Sequence, residues 1–112
     1  MGISTHILDT AIGRPAAGVP VTLFRLIDGT WHSINATVTD PDGRCKDLLP
    51  PTEPPHSGTY RIHFEASTYY AQQYQQGLYP YIEIVFEVRN IEQHYHIPLL
   101  LTANGYTTYR GS

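Results

Sequence analysis

The chain has 112 residues, a formal net charge of −3 with histidine neutral, and one cysteine, Cys45. This length predicts a single domain over residues 1–112 that is too small for a deep cleft, so a site shared between subunits is expected. The chain contains no run of lysine or arginine and no stretch of about 20 apolar residues, which argues against a nucleic-acid or membrane partner. The lone cysteine and the absence of an N-terminal targeting segment favour the cytoplasm.

Alternating apolar and polar residues predict β-strands along most of the chain. Val19–Leu26 is rich in strand-forming residues, and Asp28-Gly29 suits a tight hairpin turn into the next strand. That strand, Trp31–Val38, is predicted to present Ile34, Ala36 and Val38 on one face. Asp40–Gly43 then predicts a turn.

The middle of the chain contains the one expected helix. Tyr60–Glu65 alternates as a strand with Tyr60, Ile62 and Phe64 on one face. Glu65–Gln76 lacks proline and glycine, so part of it is predicted to be a short helix that ends at Gly77.

The last third returns to strands. Ile82–Val88 has apolar residues at its even positions, and His94–Thr102 and Tyr106–Arg110 flank a predicted turn at Asn104-Gly105. About eight short strands and one short helix predict an all-β fold, an antiparallel β-sandwich.

Histidine side chains are the natural candidates for chemistry near neutral pH. His94 and His96 lie two residues apart, so they share one strand face at a spacing of about 7 Å. With His6 as a third ligand they could bind zinc, whereas without a metal a neutral imidazole could activate water as a general base. Structural roles are the third alternative, and spacing alone does not choose among the three.

Two further side chains have an ordinary and a functional interpretation. Arg44 follows a turn, where arginine is usually a solvated charge, but its planar guanidinium suits paired carbonyl or carboxylate oxygens. Cys45 is interpreted as a half-buried small side chain in preference to a catalytic thiol. The sequence contains no nucleophile elbow, phosphate-binding loop or dinucleotide fingerprint.

Four segments, in order along the chain, resemble the signatures of 5-hydroxyisourate hydrolases in the transthyretin-like family. They are Ser4–Asp9 with Gly13–Ala16, Thr39 with Asp42–Arg44, His94–Leu101, and Tyr106–Ser112. The last two are long and highly specific. One departure is Leu78–Ile82, where the family often has an acidic residue after the proline; this leaves the site motifs intact.

The resemblance implies a transthyretin-like fold of two four-stranded sheets and one short helix. It implies a homotetramer, a dimer of dimers, with active sites at the dimer–dimer interface. The implied reaction opens a ring amide of 5-hydroxyisourate with water in urate degradation, giving 2-oxo-4-hydroxy-4-carboxy-5-ureidoimidazoline. No metal or organic cofactor is expected.

The family's functional residues match this chain at His6, Arg44, His96 and the terminal tetrapeptide Tyr109-Arg110-Gly111-Ser112. By this resemblance one of the two histidines accepts a proton from the attacking water, and the other orients that water. Arg44 binds the substrate's oxygens. The tetrapeptide contributes to substrate binding, with Tyr109 and Ser112 lining the pocket, because it ends a strand at a shared interface. His94 matches no catalytic position of the family and is predicted to be structural.

Two rival functions differ from this hypothesis in testable ways. The first is a small-molecule carrier with the same fold and no catalysis; the terminal motif, which the hormone carrier lacks, argues against it. The second is a metal-dependent hydrolase that uses His6, His94 and His96, which a chelator would inactivate.

Overall fold

The computed structural model describes residues 1–112 as two packed β-sheets with one helix between strands. The strands are β1 (Gly2–Asp9), β2 (Arg14–Pro15), β3 (Pro20–Ile27), β4 (Thr30–Val38), β5 (Arg44–Cys45), β6 (Gly58–Phe64), β7 (Ile82–Val88), β8 (His94–Leu101) and β9 (Tyr106–Thr108). The helix is α1 (Ala66–Gln72). No helix in the chain has both the length and the apolar character needed to span a bilayer.

The two sheets confirm the predicted transthyretin-like sandwich and differ from it in two details. Sheet 1 has the order β2-β1-β8-β9, and sheet 2 has the order β4-β3-β6-β7. Sheet 1 has five strands, not four, because β5 also pairs with β1. The β1–β8 pair is parallel, whereas all other named pairs are antiparallel. Parallel pairing needs a long crossover connection, and the whole of sheet 2 lies between these two strands in the chain.

The core lies between the inner faces of the two sheets. The predicted inner face of β6 is confirmed, since Tyr60, Ile62 and Phe64 are almost fully buried. Ile82, Ile84 and Val88 of β7 are buried on the same side of sheet 2. The core is completed from sheet 1 by buried residues of β1 and β8: Ile3, Ile7, Tyr95, Ile97, Leu99 and Leu101.

The face predicted for β4 is wrong. Ala36 and Val38 are exposed in this chain, and only Ile34 is partly buried. The pairing of β4 with β3 shifts between Leu23 and Phe24, so that Ile34 has no partner in the register. Such a bulge interrupts the two-residue period, which a count of alternating residues cannot detect.

The predicted hairpin turn at Asp28-Gly29 is present between β3 and β4. Asp28 has φ 50° and Gly29 has φ 78°, the paired positive angles of a type I′ turn. The turn before β9 lies one residue earlier than predicted. The Thr102 amide donates to the Gly105 carbonyl, and this hydrogen bond encloses Ala103 and Asn104 as the two turn residues. β9 itself ends at Thr108, two residues short of the prediction.

The predicted short helix is present within Glu65–Gln76, but it ends at Gln72 and Gly77 does not close it. The amide of Gln75 donates to the carbonyl of Tyr70, and the amide of Tyr74 donates to that of Ala71. These two hydrogen bonds form a Schellman motif whose left-handed residue is Tyr74, at φ 54°. Because glycine usually occupies that position, the sequence pointed to the next glycine along the chain instead.

Candidate active site

The parallel register of β1 and β8 brings the candidate histidines to the outer face of sheet 1. Ile3, Thr5 and Ile7 of β1 are buried, so Ser4 and His6 between them point away from the core. Ser4 lies beside His96 in the register, and His6 lies beside Pro98. The parallel register therefore brings β1, with His6, alongside the strand that carries His94 and His96.

Arg44 is held next to His6 by the turn that precedes β5. The Asp40 carboxylate accepts hydrogen bonds from the amides of Asp42 and Arg44, both at 2.9 Å. Gly43 has φ 75° and passes so close to the Ile7 carbonyl that a side chain would collide with it. This turn places Arg44 opposite His6 in the β1–β5 pair, on the same outer face.

A small polar cleft of about 250 Å³ opens on this face. None of its seven lining residues is hydrophobic; they are Ser4, Thr5, Arg44, Lys46, His94, His96 and Ser112. His6 adjoins Arg44 but is not among the lining residues. The structure thus brings Arg44, His96 and Ser112 together and leaves His6 at the border of the cleft.

Ser4 links the two histidines of β8. Its hydroxyl oxygen lies 2.7 Å from Nε2 of His94 and 2.7 Å from Nδ1 of His96. The Nε2 atom of His96 and the guanidinium of Arg44 have no hydrogen-bond partner within the chain. These two unpaired groups remain available to a ligand in the cleft.

The pKa of His96 is lowered from its usual value. Partial burial disfavours the imidazolium, and the positive charges of Arg44, His6 and His94 disfavour it further. His96 is therefore neutral at pH 7 and can accept a proton, which suits a general base.

The C-terminal residues extend the sheet alongside His96. The Gly111 amide donates to the His96 carbonyl at 2.8 Å, and the Thr108 hydroxyl donates to the Pro98 carbonyl at 2.8 Å. A side chain on Gly111 would come within 2.5 Å of Cδ2 of His96, so only glycine allows this approach. The tail therefore lies beside His96 within a single chain, and Ser112 reaches the cleft.

Tyr109 and Arg110 lie elsewhere. Both line a separate cavity of about 540 Å³ between β7 and the end of β9. The Arg110 guanidinium lies 4.3 Å from the centre of the Tyr95 ring and donates to the Gln93 side chain at 3.0 Å. Within one chain the Arg110 side chain anchors the tail, and neither side chain lines the cleft.

Two alternatives from the sequence, a zinc site and a catalytic thiol, do not fit this geometry. No group of three histidine, cysteine, aspartate or glutamate side chains is arranged to hold a metal, and the Ser4 hydroxyl occupies the space between His94 and His96. Cys45 is 6% exposed, and burial together with the charge of Asp40 raises the pKa of its thiol to about 11. A thiol so strongly protonated is a poor nucleophile.

Sequence reasoning gave no role to three residues of the cleft, Ser4, Thr5 and Lys46. Ser4 belongs to the first motif, and its place on the same strand face as His6 was available from the two-residue period. Its contact with His96 was not, because that contact depends on a parallel register between strands about 90 residues apart.

The sequence matches the family model described as HIUase/Transthyretin family over residues 3–111. The chain belongs to the HIUase/transthyretin family. A similar family member is the 5-hydroxyisourate hydrolase of Mus musculus, which is 42% identical over 112 residues, covering 98% of this chain and 94% of the mouse protein.

Solved structures similar to this chain include a hydrolase and a transthyretin with bound thyroxine. The 5-hydroxyisourate hydrolase of Klebsiella pneumoniae superposes with a TM-score of 0.86 at 33% identity, over 100% of both chains. Sea bream transthyretin in complex with thyroxine superposes with a TM-score of 0.91 at 30% identity, over 99% of this chain and 95% of that one. The family fold alone therefore does not determine function, and the residues of the cleft must.

Proposed function

We propose that this protein hydrolyses 5-hydroxyisourate to 2-oxo-4-hydroxy-4-carboxy-5-ureidoimidazoline. The observation that carries the proposal is the cleft itself, where a neutral His96 and an unpaired Arg44 guanidinium line the same small polar space. A base and a cation around one space are the groups that amide hydrolysis needs. The similarity to the mouse and Klebsiella hydrolases supports the same conclusion.

In the proposed mechanism His96 is the general base, because it lines the cleft and His6 does not. Nε2 of His96 takes a proton from water as the water oxygen attacks the ring carbonyl of the substrate. The Arg44 guanidinium stabilises the negative charge that develops on the carbonyl oxygen. When the ring C–N bond breaks, His96 returns the proton to the departing nitrogen. His6, beside Arg44, orients the attacking water.

The tail is proposed to bind substrate through two kinds of contact. Ser112 lines the cleft in this chain, and Gly111 pairs with the backbone of His96 next to it. Tyr109 and Arg110 face the other cavity, so they reach substrate only where a neighbouring subunit completes the site.

We further propose a homotetramer with active sites between dimers. The cleft is small and open, as expected for a site that a second subunit completes. Exposed apolar side chains, Val85 and Tyr109, flank the cavity between the edge strands β7 and β9, which suits pairing with another copy.

We also propose that residues 1–112 form one domain and that catalysis needs no metal. The unpaired Cys45 is proposed to reflect a cytoplasmic protein.

The carrier alternative is not supported by this cleft. A site for an apolar ligand is lined mostly by hydrophobic side chains, whereas none of the residues that line this cleft is hydrophobic. Charged and hydrogen-bonding side chains suit a heterocycle rich in carbonyl and amide groups.

The proposal is tested by the decay of freshly made 5-hydroxyisourate, followed by its ultraviolet absorbance. The wild-type protein should accelerate the decay, and His6→Ala or Arg44→Ala should each lower turnover by about 10²–10⁴-fold. Activity lost on chelation and restored by zinc would refute the metal-free mechanism. A decay rate equal to that of the buffer blank would refute the function.

A further inference from the structure

The Ser4 hydroxyl lies at the centre of a three-residue chain, His94–Ser4–His96. Ser4 is 8% exposed, and the only hydrogen-bond partners of its hydroxyl are the two imidazole nitrogens, each at 2.7 Å. Gly2, which lies beside His94 in the register, leaves room for the His94 ring, since a side chain there would come within 2.5 Å of its Nδ1. The backbone of β1 is thus shaped to let His94 reach Ser4.

A hydroxyl group has one hydrogen to donate, so it cannot donate to both rings. If Ser4 donates to His94, Nδ1 of His96 must carry a proton and donate to Ser4, and Nε2 of His96 keeps a free lone pair. If Ser4 donates to His96, the proton of His96 must be on Nε2, which then cannot act as a base. The direction of this chain therefore decides whether His96 can accept a proton.

The charges around the cleft favour the first direction. Arg44 and Lys46 line the same space as His96, and two cations favour a lone pair over an N–H group in that space. His94 is exposed, so water can accept from its Nδ1–H. Gly111 covers the Cδ2 edge of the His96 ring and Ser4 holds Nδ1, which leaves Nε2 as the ring nitrogen free to meet substrate.

We propose that Ser4 and His94 are positioning residues, which hold His96 with its proton on Nδ1 and its lone pair on Nε2. The catalytic consequence rests on the proposed hydrolase function, whereas the tautomer itself does not. The hydrogen bond made by one ring nitrogen commonly sets the protonation of the other, and here the hydrogen bond passes through a serine to a second histidine.

The direct test is the ¹⁵N chemical shift of each His96 ring nitrogen in the intact protein at about pH 8, where imidazoles are neutral. Signals are assigned by their loss in His96→Gln. The wild type should show a protonated Nδ1 and an unprotonated Nε2. In His94→Phe the acceptor is gone, so Ser4 should turn to His96 and move its proton to Nε2. His94→Gln, which restores an acceptor oxygen, should keep the wild-type pattern.

A kinetic test separates positioning from a structural role. Ser4→Ala and His94→Phe should each lower kcat by about tenfold or more with little change in KM, whereas Ser4→Thr and His94→Gln should retain most activity. Ser33→Ala, at an exposed serine of β4, is the matched control and should be unaffected.

Two results would overturn the proposal: a wild-type His96 protonated on Nε2, or the same His96 tautomer in the wild type and His94→Phe. A wild-type protein that does not hydrolyse 5-hydroxyisourate but shows the expected ¹⁵N pattern would refute the proposed function and leave the tautomer assignment standing.

Discussion

The outer faces of the two sheets use histidine and arginine in opposite ways. On sheet 2, His63 lies 2.8 Å from a Glu65 oxygen and 2.9 Å from a Glu83 oxygen. Burial lowers the pKa of His63, but the hydrogen bonds and charges of these two carboxylates outweigh that effect and raise it. On sheet 1, His96 has no carboxylate partner, and burial together with neighbouring cations lowers its pKa.

The arginines follow the same division. Arg61 on sheet 2 lies between the rings of Phe24 and Trp31, at 4.4 and 4.6 Å from their centres, and its Nε is 3.5 Å from Glu83. Arg44 on sheet 1 has no such partner. On sheet 2, His63 and Arg61 have carboxylate neighbours within the chain, whereas sheet 1 leaves a base and a cation without one. An unpaired base in a cleft whose pKa is perturbed, as that of His96 is, is typical of a functional site.

Removal of the tail tests whether the unpaired groups of sheet 1, His96 and Arg44, are sufficient for catalysis. Deletion of Tyr109–Ser112 removes the hydrogen bond to the His96 carbonyl and the glycine that covers its ring. We expect turnover to fall by at least about 10³-fold while circular dichroism and the melting transition still show a folded sandwich. Gly111→Ala separates the two effects, because it keeps the tail and disturbs only the contact with His96. Full activity of the truncated protein would remove the tail from the site.

The pH dependence of kcat/KM tests the low pKa of His96. A base must be unprotonated, so activity should hold at neutral pH and decline on the acid side, by about tenfold per pH unit. Since Arg44, His6 and His94 disfavour the imidazolium, the inflection should lie below 6.5, the usual value for histidine. An inflection above 6.5 would mean that a carboxylate, not these cations, dominates the surroundings of His96.

The stability of His63→Gln tests the opposite behaviour on sheet 2. A folded pKa raised above the unfolded value contributes stability that is present below the unfolded pKa and is lost as pH rises through the folded pKa. The substitution should therefore lower the free energy of unfolding more at about pH 5.5 than at about pH 9. The difference should stay under about 1 kcal/mol, because the pairs are partly exposed.

Urea titrations at the two pH values measure this difference. His32→Gln, at an exposed histidine of β4, is the matched control. An equal loss of stability at both pH values would show that the two carboxylates contribute nothing specific to the charged form of His63.

Strand faces were predictable where the pattern was local. The alternation in Tyr60–Phe64 and Ile82–Val88 marks buried faces that the structure confirms. The alternation failed at β4, where a bulge breaks the two-residue period. The glycine signal failed at the end of α1, where Tyr74 occupies a position that glycine usually fills. Both exceptions depend on backbone geometry that residue types alone do not encode.

The site residues were likewise predictable only where their placement depends on residues close in the sequence. The turn that presents Arg44 and the shared strand face of His94 and His96 were visible in the sequence, because each depends on neighbouring residues. The contact of Ser4 with both histidines was not visible, because it needs the parallel register of two distant strands. The same holds for Tyr109, whose direction depends on how the strand end packs.

The most direct test of the account compares one histidine from each face in the same assay. Decay of 5-hydroxyisourate is followed with the wild type, His96→Gln and His63→Gln at equal concentration, after confirmation that all three are folded. We expect His96→Gln to lose about 10²-fold or more of the catalysed rate and His63→Gln to remain within about twofold of the wild type. A wild-type rate for His96→Gln, or equal losses in both variants, would contradict the placement of the catalytic base on sheet 1.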